Sequence, residues 1–213
     1  MIIQSIMIPK EAVHTVTTKD TIAIALDIME DHNQRCIPIL DPSSTLYRGN
    51  IYKYHIYRHL VQGGSLDEPV TTLLKNATKF VKNTDAFFKL FFTLGDLPYI
   101  SVLNDKHHFL GIIRHTDMYE LLSQSWKMTE SSYALTISVP DNVTGLDKIL
   151  KIIYKFTTIT GLITLDREEF TLRKRIMVMF PPNFTKQQLQ KLTNKLTAKS
   201  FDVLEVEDLT HGI

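Results

Sequence analysis

The chain has 213 residues, of which 44% are hydrophobic and 22% are charged, and this composition excludes a disordered or low-complexity chain. Its 24 Lys and Arg residues nearly balance its 23 Asp and Glu residues, so it lacks the strong positive charge typical of nucleic-acid-binding proteins. The single cysteine, Cys36, excludes an intrachain disulfide and favours a reducing compartment. Since we recognise neither a signal peptide nor a membrane-spanning apolar run, the sequence predicts a cytoplasmic protein with no membrane partner.

A repeat of about 60 residues organises the first part of the chain. In the first copy, Asp20 is the predicted N-cap of a helix whose apolar residues recur at helical spacing. Each copy has a β-rich run, then a turn with Asp or Asn, then a glycine (Gly49 or Gly111) that leads into a second β-rich run. A helix follows the second run in both copies. Each copy therefore predicts the order β-α-β-β-α, and we assign the copies to residues 1–65 and 66–125.

The helix predicted at residues 87–94 has an unusually wide apolar surface. Two further phenylalanines, Phe88 and Phe92, lie beside the stripe formed by Phe87, Leu90, Phe91 and Leu94. One small unit offers only one core to such a helix, so its second side should also be buried. This predicts a homodimer, although burial against the other repeat of the same chain is an alternative.

The pattern changes after Trp126, and the polar segment Gln124 to Ser132 is predicted to be a linker. The segment 132–213 has the order βαββαβ of a ferredoxin-like fold. Its strands are predicted at 133–139, 157–165, 172–180 and 201–206. Its first helix is predicted from Leu146, Ile149, Leu150 and Ile153, which recur at helical spacing. Its second helix begins at a capping box formed by Thr185 and Gln188, and buries Leu189, Leu192 and Leu196.

The tandem repeat resembles a pair of cystathionine-β-synthase (CBS) domains. The resemblance rests on the Thr-Val strand entry, on the apolar-Pro-apolar-apolar-Asp strand that ends at Asp41, and on Asp117, six residues after Gly111. The stretch Cys36 to Ser43 and the glycine that follows it are similar to the small CBS proteins of Gram-positive bacteria that bind cyclic di-AMP.

The C-terminal region resembles an ACT domain, because Asp141 and Gly145 fit the Asp-x-x-x-Gly-x-Leu turn of that family. The combination of a CBS pair with an ACT domain also resembles the acetoin-utilisation-type regulatory proteins. The predicted fold is therefore α/β (α+β), a CBS-domain pair followed by a ferredoxin-like ACT domain. The resemblance implies that this domain supplies either dimer contacts or a second effector site near Asp141 and Gly145.

The CBS resemblance implies a nucleotide-binding cleft between the repeats. At the strand-to-helix junction, an arginine can hold phosphate in two bonds, a threonine can donate, and a carboxylate can accept from ribose hydroxyls. The junction residues are Arg114, His115, Thr116 and Asp117. The residues predicted opposite are Ala12, Val13, His14, Arg35, Cys36 and Ile37. The alternative is that Arg114 is a solvated charge, that Asp117 only caps a helix, and that Val13 and Ile37 are sheet core.

The first copy departs from the CBS pattern. His55 stands where the resemblance implies the ribose-binding aspartate, and Tyr52 stands where the second copy has Arg114. This departure favours cyclic di-AMP over a mononucleotide. Sensing of AMP, ADP or ATP is one alternative, and a structural dimerisation adaptor with empty clefts is another.

No catalytic constellation is evident, so we predict a regulatory protein and not an enzyme. His55 and His59 have the spacing of a zinc-binding pair, but no third ligand is evident and we predict no metal or cofactor. The predicted partners are a small-molecule nucleotide, a second copy of the chain and an unidentified protein target, and no nucleic acid.

Overall fold

The computed structural model describes residues 2–139, 145–165 and 174–210. The chain divides into two compact units, Met1–Tyr119 and Glu120–Ile213. Within the described ranges, no helix combines the length and the apolar character needed to cross a membrane.

The first unit contains most of the α/β repeat. In chain order its helices and strands are α1 (Ile2–Ile6), β1 (Ile8–Pro9), β2 (Val16–Thr17), α2 (Ile22–Asp31), β3 (Cys36–Leu40), β4 (Tyr47–Tyr52), α3 (Lys53–Val61), β5 (Phe80–Lys82), α4 (Phe87–Leu94), β6 (Tyr99–Leu103), β7 (Phe109–Arg114) and the first residues of α5 (His115–Trp126). Short 3-10 turns occupy Lys10–Ala12 and Val70–Leu73.

The two repeats have the same strand register. Ile37 of β3 pairs with Ile51 of β4, and Ile100 of β6 pairs with Ile113 of β7 in the same antiparallel arrangement. The parallel pairs β2–β3 and β5–β6 are also equivalent. The β-α-β-β-α order expected from the sequence is therefore present in both copies.

The N-cap of α2 differs from the prediction. Thr21, and not Asp20, caps this helix, because the Thr21 hydroxyl accepts a hydrogen bond from the N–H of Ile24 at 3.4 Å. The Asp20 carboxylate instead accepts from the N–H of Thr17 at 2.6 Å and closes the turn before the helix. Both residues are good N-caps, so the sequence alone placed the helix start one residue too early.

The first residues of the chain complete the sheet of the second repeat. The sheets have the strand orders β2-β3-β4 and β1-β7-β6-β5. Strand β1 pairs with β7, with Ile8 opposite Ile112 and Pro9 opposite Gly111. A Cβ atom at Gly111 would lie 2.0 Å from the carbonyl oxygen of Ile8, so this close approach requires glycine.

Three apolar clusters hold the first unit together. One lies in the first repeat around Ile22, Ile37 and Ile51, and a second joins Ile3 of α1 to the core of the second repeat. The third draws side chains from both sheets and consists of Cys36, Leu40, Tyr47, Tyr99, Leu103, Phe109 and Ile112. This third cluster packs the sheets of the two repeats together.

The second unit has the ferredoxin-like topology. Its elements are the end of α5, β8 (Tyr133–Val139), α6 (Gly145–Ile153), β9 (Gly161–Leu165), β10 (Lys174–Met179), α7 (Lys186–Thr197) and β11 (Val203–Asp208). The antiparallel sheet has the order β11-β8-β10-β9, which is 4-1-3-2 in the order of the unit's strands. The predicted α/β (α+β) fold class is thus confirmed. The capping box of Thr185 and Gln188 is present.

Several predicted boundaries were wrong. Helix α5 continues to Trp126 and a 3-10 turn follows at Met128–Glu130, so most of the predicted linker is helical. Strand β9 begins at Gly161 instead of residue 157. Strand β11 begins at Val203 instead of residue 201, because Phe201 belongs to the turn after α7. Polar helix surfaces resemble loops in sequence, which explains the error at α5.

Replacing Gly111 with alanine should destabilise the first unit. The new methyl group would meet the backbone of β1, so we expect the free energy of unfolding to fall by about 2 kcal/mol or more. Urea unfolding followed by circular dichroism measures this. The control is Arg48→Ala at an exposed position of β4, which should change stability by less than about 0.5 kcal/mol. Equal stability of the two variants would show that β1 is not held at Gly111.

Candidate ligand-binding cleft

A cleft of about 610 Å³ lies in the first unit and is lined by residues of both repeats. This volume falls in the range of about 300–1,000 Å³ that is usual for small-molecule sites. Seven residues proposed from the sequence line it: Val13, His14, Arg35, Cys36, Arg114, His115 and Thr116. The other three proposed residues do not line the cleft. Ala12 is in an exposed 3-10 turn, and Ile37 is in the core of the first repeat. Asp117 is paired with the side chain of Arg114.

The junction of β7 and α5 supplies the polar end of the cleft. Arg114 is the last residue of β7, and His115 and Thr116 are the first two residues of α5. The N-terminus of a helix presents unpaired N–H groups and a positive dipole end, both of which favour an anion. His115 is held by its Nε2 atom, which lies 2.9 Å from the carbonyl oxygen of Gly95.

Asp117 is the third residue of α5 and is fully engaged with Arg114. Its Oδ2 atom accepts the backbone N–H of Arg114 at 2.8 Å. The guanidinium group of Arg114 donates from Nη2 to Oδ1 at 2.7 Å and from Nε to both oxygens at 3.2 Å. The Arg114 side chain is 52% exposed and that of Asp117 is 12% exposed, so the arginine remains accessible to a ligand. Both oxygens of the Asp117 carboxylate therefore already accept hydrogen bonds from Arg114.

The residues around His14 form a second polar wall. The rings of His14 and His32 are stacked with their centroids 3.7 Å apart, and Nδ1 of His14 lies 3.2 Å from Nε2 of Gln34. The Oε1 atom of Gln34 is buried and has no hydrogen-bond partner among the described residues. Because buried polar atoms are normally paired, this oxygen is an acceptor that a ligand donor could satisfy.

The cleft also has an uncharged wall built around Cys36 and Tyr99. The Cys36 thiol donates to Oη of Tyr99 at 3.5 Å, and Tyr99 donates to Oδ1 of the buried Asn50 at 2.9 Å. Burial raises the pKa of the Cys36 thiol to about 12 and also raises the pKa of Tyr99. Both groups are therefore neutral near pH 7, and Cys36 is not a nucleophile here. Together with apolar side chains such as Ile112, this wall suits a planar base.

The equivalent position of the first repeat is filled by the chain's own side chains. Tyr52 precedes α3 as Arg114 precedes α5, and Nδ2 of Asn76 donates to Oη of Tyr52 at 2.6 Å. Burial raises the pKa of Tyr52 to about 12. His55 replaces the carboxylate at the third helix position, and burial together with Lys75 and Arg58 lowers the pKa of His55. This position therefore offers neither the arginine nor the carboxylate of the second repeat.

The sequence analysis missed seven lining residues of the cleft: His32, Asn33, Gln34, Pro38, Ile112, Pro98 and Tyr99. The last two could have been found from the repeat, since the shared register makes them the counterparts of Arg35 and Cys36. His32 and Gln34 follow α2, and nothing in the local pattern distinguishes them from a polar loop.

The other predicted features are placed as follows. Gly145 is the buried first residue of α6, whereas Asp141 lies outside the described residues. His59 lies with Nε2 2.9 Å from Oε1 of Glu68, and the described part of the chain contains no cluster of three or more His, Cys, Asp or Glu side chains suited to a metal ion.

Comparison with known proteins identifies the class of the first repeat. A family model described as CBS domain matches residues 3–62. The solved structure of CbpB from Listeria monocytogenes in complex with c-di-AMP is similar, with 20% sequence identity, a TM-score of 0.50, and coverage of 57% of this chain and 95% of that chain. No curated protein sequence matches this chain.

Two further solved structures have the same fold. A CBS domain-containing protein from Bacillus anthracis is 24% identical, with a TM-score of 0.51 and coverage of 57% of this chain and 92% of that chain. A conserved hypothetical protein from Geobacillus kaustophilus is 19% identical, with a TM-score of 0.53 and coverage of 57% and 96%. The resemblance to CBS-domain proteins is thereby confirmed, and the shared property is the fold.

The Cys36 thiol should react very slowly in the folded protein. With a pKa of about 12, its thiolate fraction at pH 8 is about a thousandfold below that of an unperturbed cysteine. We expect labelling by a disulfide reagent at pH 8 to be at least about a hundredfold slower in buffer than in 8 M urea. Cys36→Ser provides the blank, since the chain has one cysteine. Equally fast labelling in both solutions would contradict the buried position of Cys36.

Proposed function

We propose that this chain is a nucleotide-sensing regulatory protein and that the cleft of its CBS unit binds an adenine nucleotide, specifically cyclic di-AMP. The observation that carries the proposal is the convergence of Arg35, Arg114 and the N-terminus of α5 on one cleft with an uncharged wall. The two arginines and the helix N-terminus suit phosphate groups, and the uncharged wall suits a purine base. The cleft contains no arrangement of nucleophile and base among its lining residues, so binding and not catalysis is its proposed role.

Each part of the nucleotide has a proposed contact. Arg114 and the hydroxyl of Thr116 bind one phosphate at the start of α5, and Arg35 binds the second. The base lies against Cys36 and Tyr99, which are neutral. The unpaired Oε1 of Gln34 is an acceptor for the exocyclic amino group of adenine.

The engagement of Asp117 favours the cyclic dinucleotide over AMP. A mononucleotide has two adjacent ribose hydroxyls, and a carboxylate grips them best when both of its oxygens are available. Here Arg114 occupies both oxygens. In a 3′,5′-linked cyclic dinucleotide only the 2′-hydroxyl of each ribose remains, so binding does not require the ion pair to break. The solved Listeria CbpB structure, which contains c-di-AMP, further supports this choice of ligand.

Two alternatives each rest on a specific observation. The presence of Asp117 at the third position of α5 favours an AMP, ADP or ATP sensor, with Arg114 moving aside on binding. The Tyr52–Asn76 contact, which fills the equivalent position of the first repeat, favours a structural adaptor that binds no ligand.

The proposed mode of action is a shift between conformations. A ligand shifts such an equilibrium only if it binds one conformation more tightly than the other. Helix α5 begins at His115, between Arg114 and Thr116 of the cleft, and ends at Trp126, which belongs to the second unit. It therefore connects the proposed phosphate contact to the ferredoxin-like unit through continuous helical backbone.

We also propose that the chain forms a homodimer through α4. Phe88 is 73% exposed and Phe92 is 86% exposed, whereas Leu90 and Leu94 are buried. The second side of α4 is therefore not covered by the other repeat, which was the alternative left open by the sequence. Exposed aromatic side chains of this kind are typical of protein interfaces, and a second copy of the chain is the proposed partner that covers them.

Calorimetry should show tighter binding of cyclic di-AMP than of AMP. Replacing Arg114 with alanine removes a charge-assisted bond to phosphate, so affinity for cyclic di-AMP should fall about tenfold or more. Arg58→Ala on the exposed surface of α3 makes the same change outside the cleft and should alter affinity less than about twofold.

Tighter binding of AMP, or no binding of either ligand, would refute the proposal of a cyclic di-AMP sensor. Unchanged affinity in Arg114→Ala would refute the phosphate contact and leave Arg114 as a solvated partner of Asp117.

Light scattering should give a mass of twice the chain mass of 24.5 kDa. Phe88→Lys combined with Phe92→Lys places charges on the proposed interface and should give a monomer. Tyr154→Lys, at a 62% exposed position in the turn after α6, is the control and should remain dimeric. A mass near 24.5 kDa for the wild type, with and without cyclic di-AMP, would show that the dimer proposal is wrong.

A further inference from the structure

The second unit contains a separate cleft of about 490 Å³ between α6 and the turn that joins α7 to β11. Its lining residues are Gly145, Lys148, Lys151, Ile152, Lys199, Ser200 and Phe201. The described lining residues of this cleft and of the cleft in the CBS unit do not overlap, so the two clefts can bind different ligands.

Positive charge dominates this cleft. Lys148 and Lys151 are three residues apart on α6, a spacing that makes their side chains neighbours, and Lys199 comes from the opposite wall. Lys151 pairs with Asp147 at 2.7 Å, but both side chains are more than half exposed, so this pair is weak. Among the described residues, Lys148 and Lys199 have no ion pair, and the described residues that line the cleft include no acidic side chain.

Hydrogen bonds hold the wall that carries Lys199. Both Lys199 and Phe201 donate their backbone N–H groups to the carbonyl oxygen of Leu196, at 3.0 and 3.1 Å. Ser200 between them has a φ angle of 61°, the left-handed conformation that reverses the chain after a helix. Phe201 is 7% exposed and belongs to the core of the second unit. The position of Lys199 is therefore set by the fold and not by a free loop.

Clustered like charges repel one another, and an anion between them relieves the repulsion. Gly145, the first residue of α6, also lines the cleft, so the positive end of this helix dipole adds to the charge there. The cleft also has apolar surface, contributed by the half-buried Ile152 and by Phe201. An anion that carries an apolar ring matches both features, whereas an amino acid would bring its ammonium group among three lysines.

From the geometry we infer that this cleft of the second unit binds a small organic phosphate, with Lys148, Lys151 and Lys199 around the phosphate and Ile152 and Phe201 against its apolar part. The inference does not depend on the ligand proposed for the CBS unit. The simplest alternative is that the three lysines are ordinary solvent-exposed charges on the surface of α6 and at the end of α7, and bind no ligand.

Titration of the full chain with phenyl phosphate, followed by calorimetry at low ionic strength, tests the inference. Lys148→Gln combined with Lys199→Gln should weaken binding about tenfold or more, because two charged contacts to phosphate are lost. The matched control is Lys191→Gln combined with Lys195→Gln, which removes the same charge from exposed positions of α7 outside the cleft and should weaken binding less than about threefold. Inorganic phosphate should bind more weakly than phenyl phosphate.

Three results would overturn the inference. Absence of saturable binding, or equal weakening in both double variants, would show that the lysines act only through net charge. Loss of phenyl phosphate binding in Arg114→Ala would place the ligand in the CBS unit instead. Equal affinity for inorganic and phenyl phosphate would refute the contact with Ile152 and Phe201. The phenyl phosphate titrations can be interpreted even if cyclic di-AMP does not bind, because the described lining residues of the two clefts do not overlap.

Discussion

The antiparallel pairing of β1 with β7 is the contact on which the candidate ligand cleft depends. It brings the first residues of the chain to the sheet of the second repeat, and the short turn after β1 then leads to Val13 and His14 in the cleft. Because Gly111 lacks a side chain, the carbonyl of Ile8 can approach its Cα closely. The first wall of the cleft is thus positioned by backbone hydrogen bonds, which depend little on the side chains of β1.

The two repeats of the first unit share one backbone arrangement but carry different side-chain chemistry at their strand-to-helix junctions. In the second repeat, the strand-to-helix junction carries an ion pair whose arginine remains accessible. In the first repeat, the same junction carries Tyr52, whose hydroxyl group is bonded to Asn76. The shared register shows that this difference arises from side chains alone. A symmetric scaffold therefore supports one candidate ligand site with an asymmetric wall.

Much of the fold could be predicted from the sequence because it depends on local patterns. The repeated glycines and β-rich runs predicted the two α/β units, and the capping box at Thr185 and the stripe through Leu192 predicted α7. The pairing of β1 with β7 could not be predicted, since two residues of strand carry no periodicity and the contact joins distant parts of the chain. For the cleft, Arg114 and its neighbours were accessible from a resemblance, whereas His32 enters only through tertiary packing.

Tyr52 and Arg114 occupy equivalent positions but should tolerate sequence change very differently. Arg114 is half exposed, so a substitution there leaves the core intact and alters only what the cleft can hold. Tyr52 packs against the cluster that joins the two sheets, and its loss would leave the Asn76 amide without its partner. Position 114 is therefore open to neutral substitution wherever binding by the cleft is not required. The duplicated position would remain constrained for as long as the protein must fold.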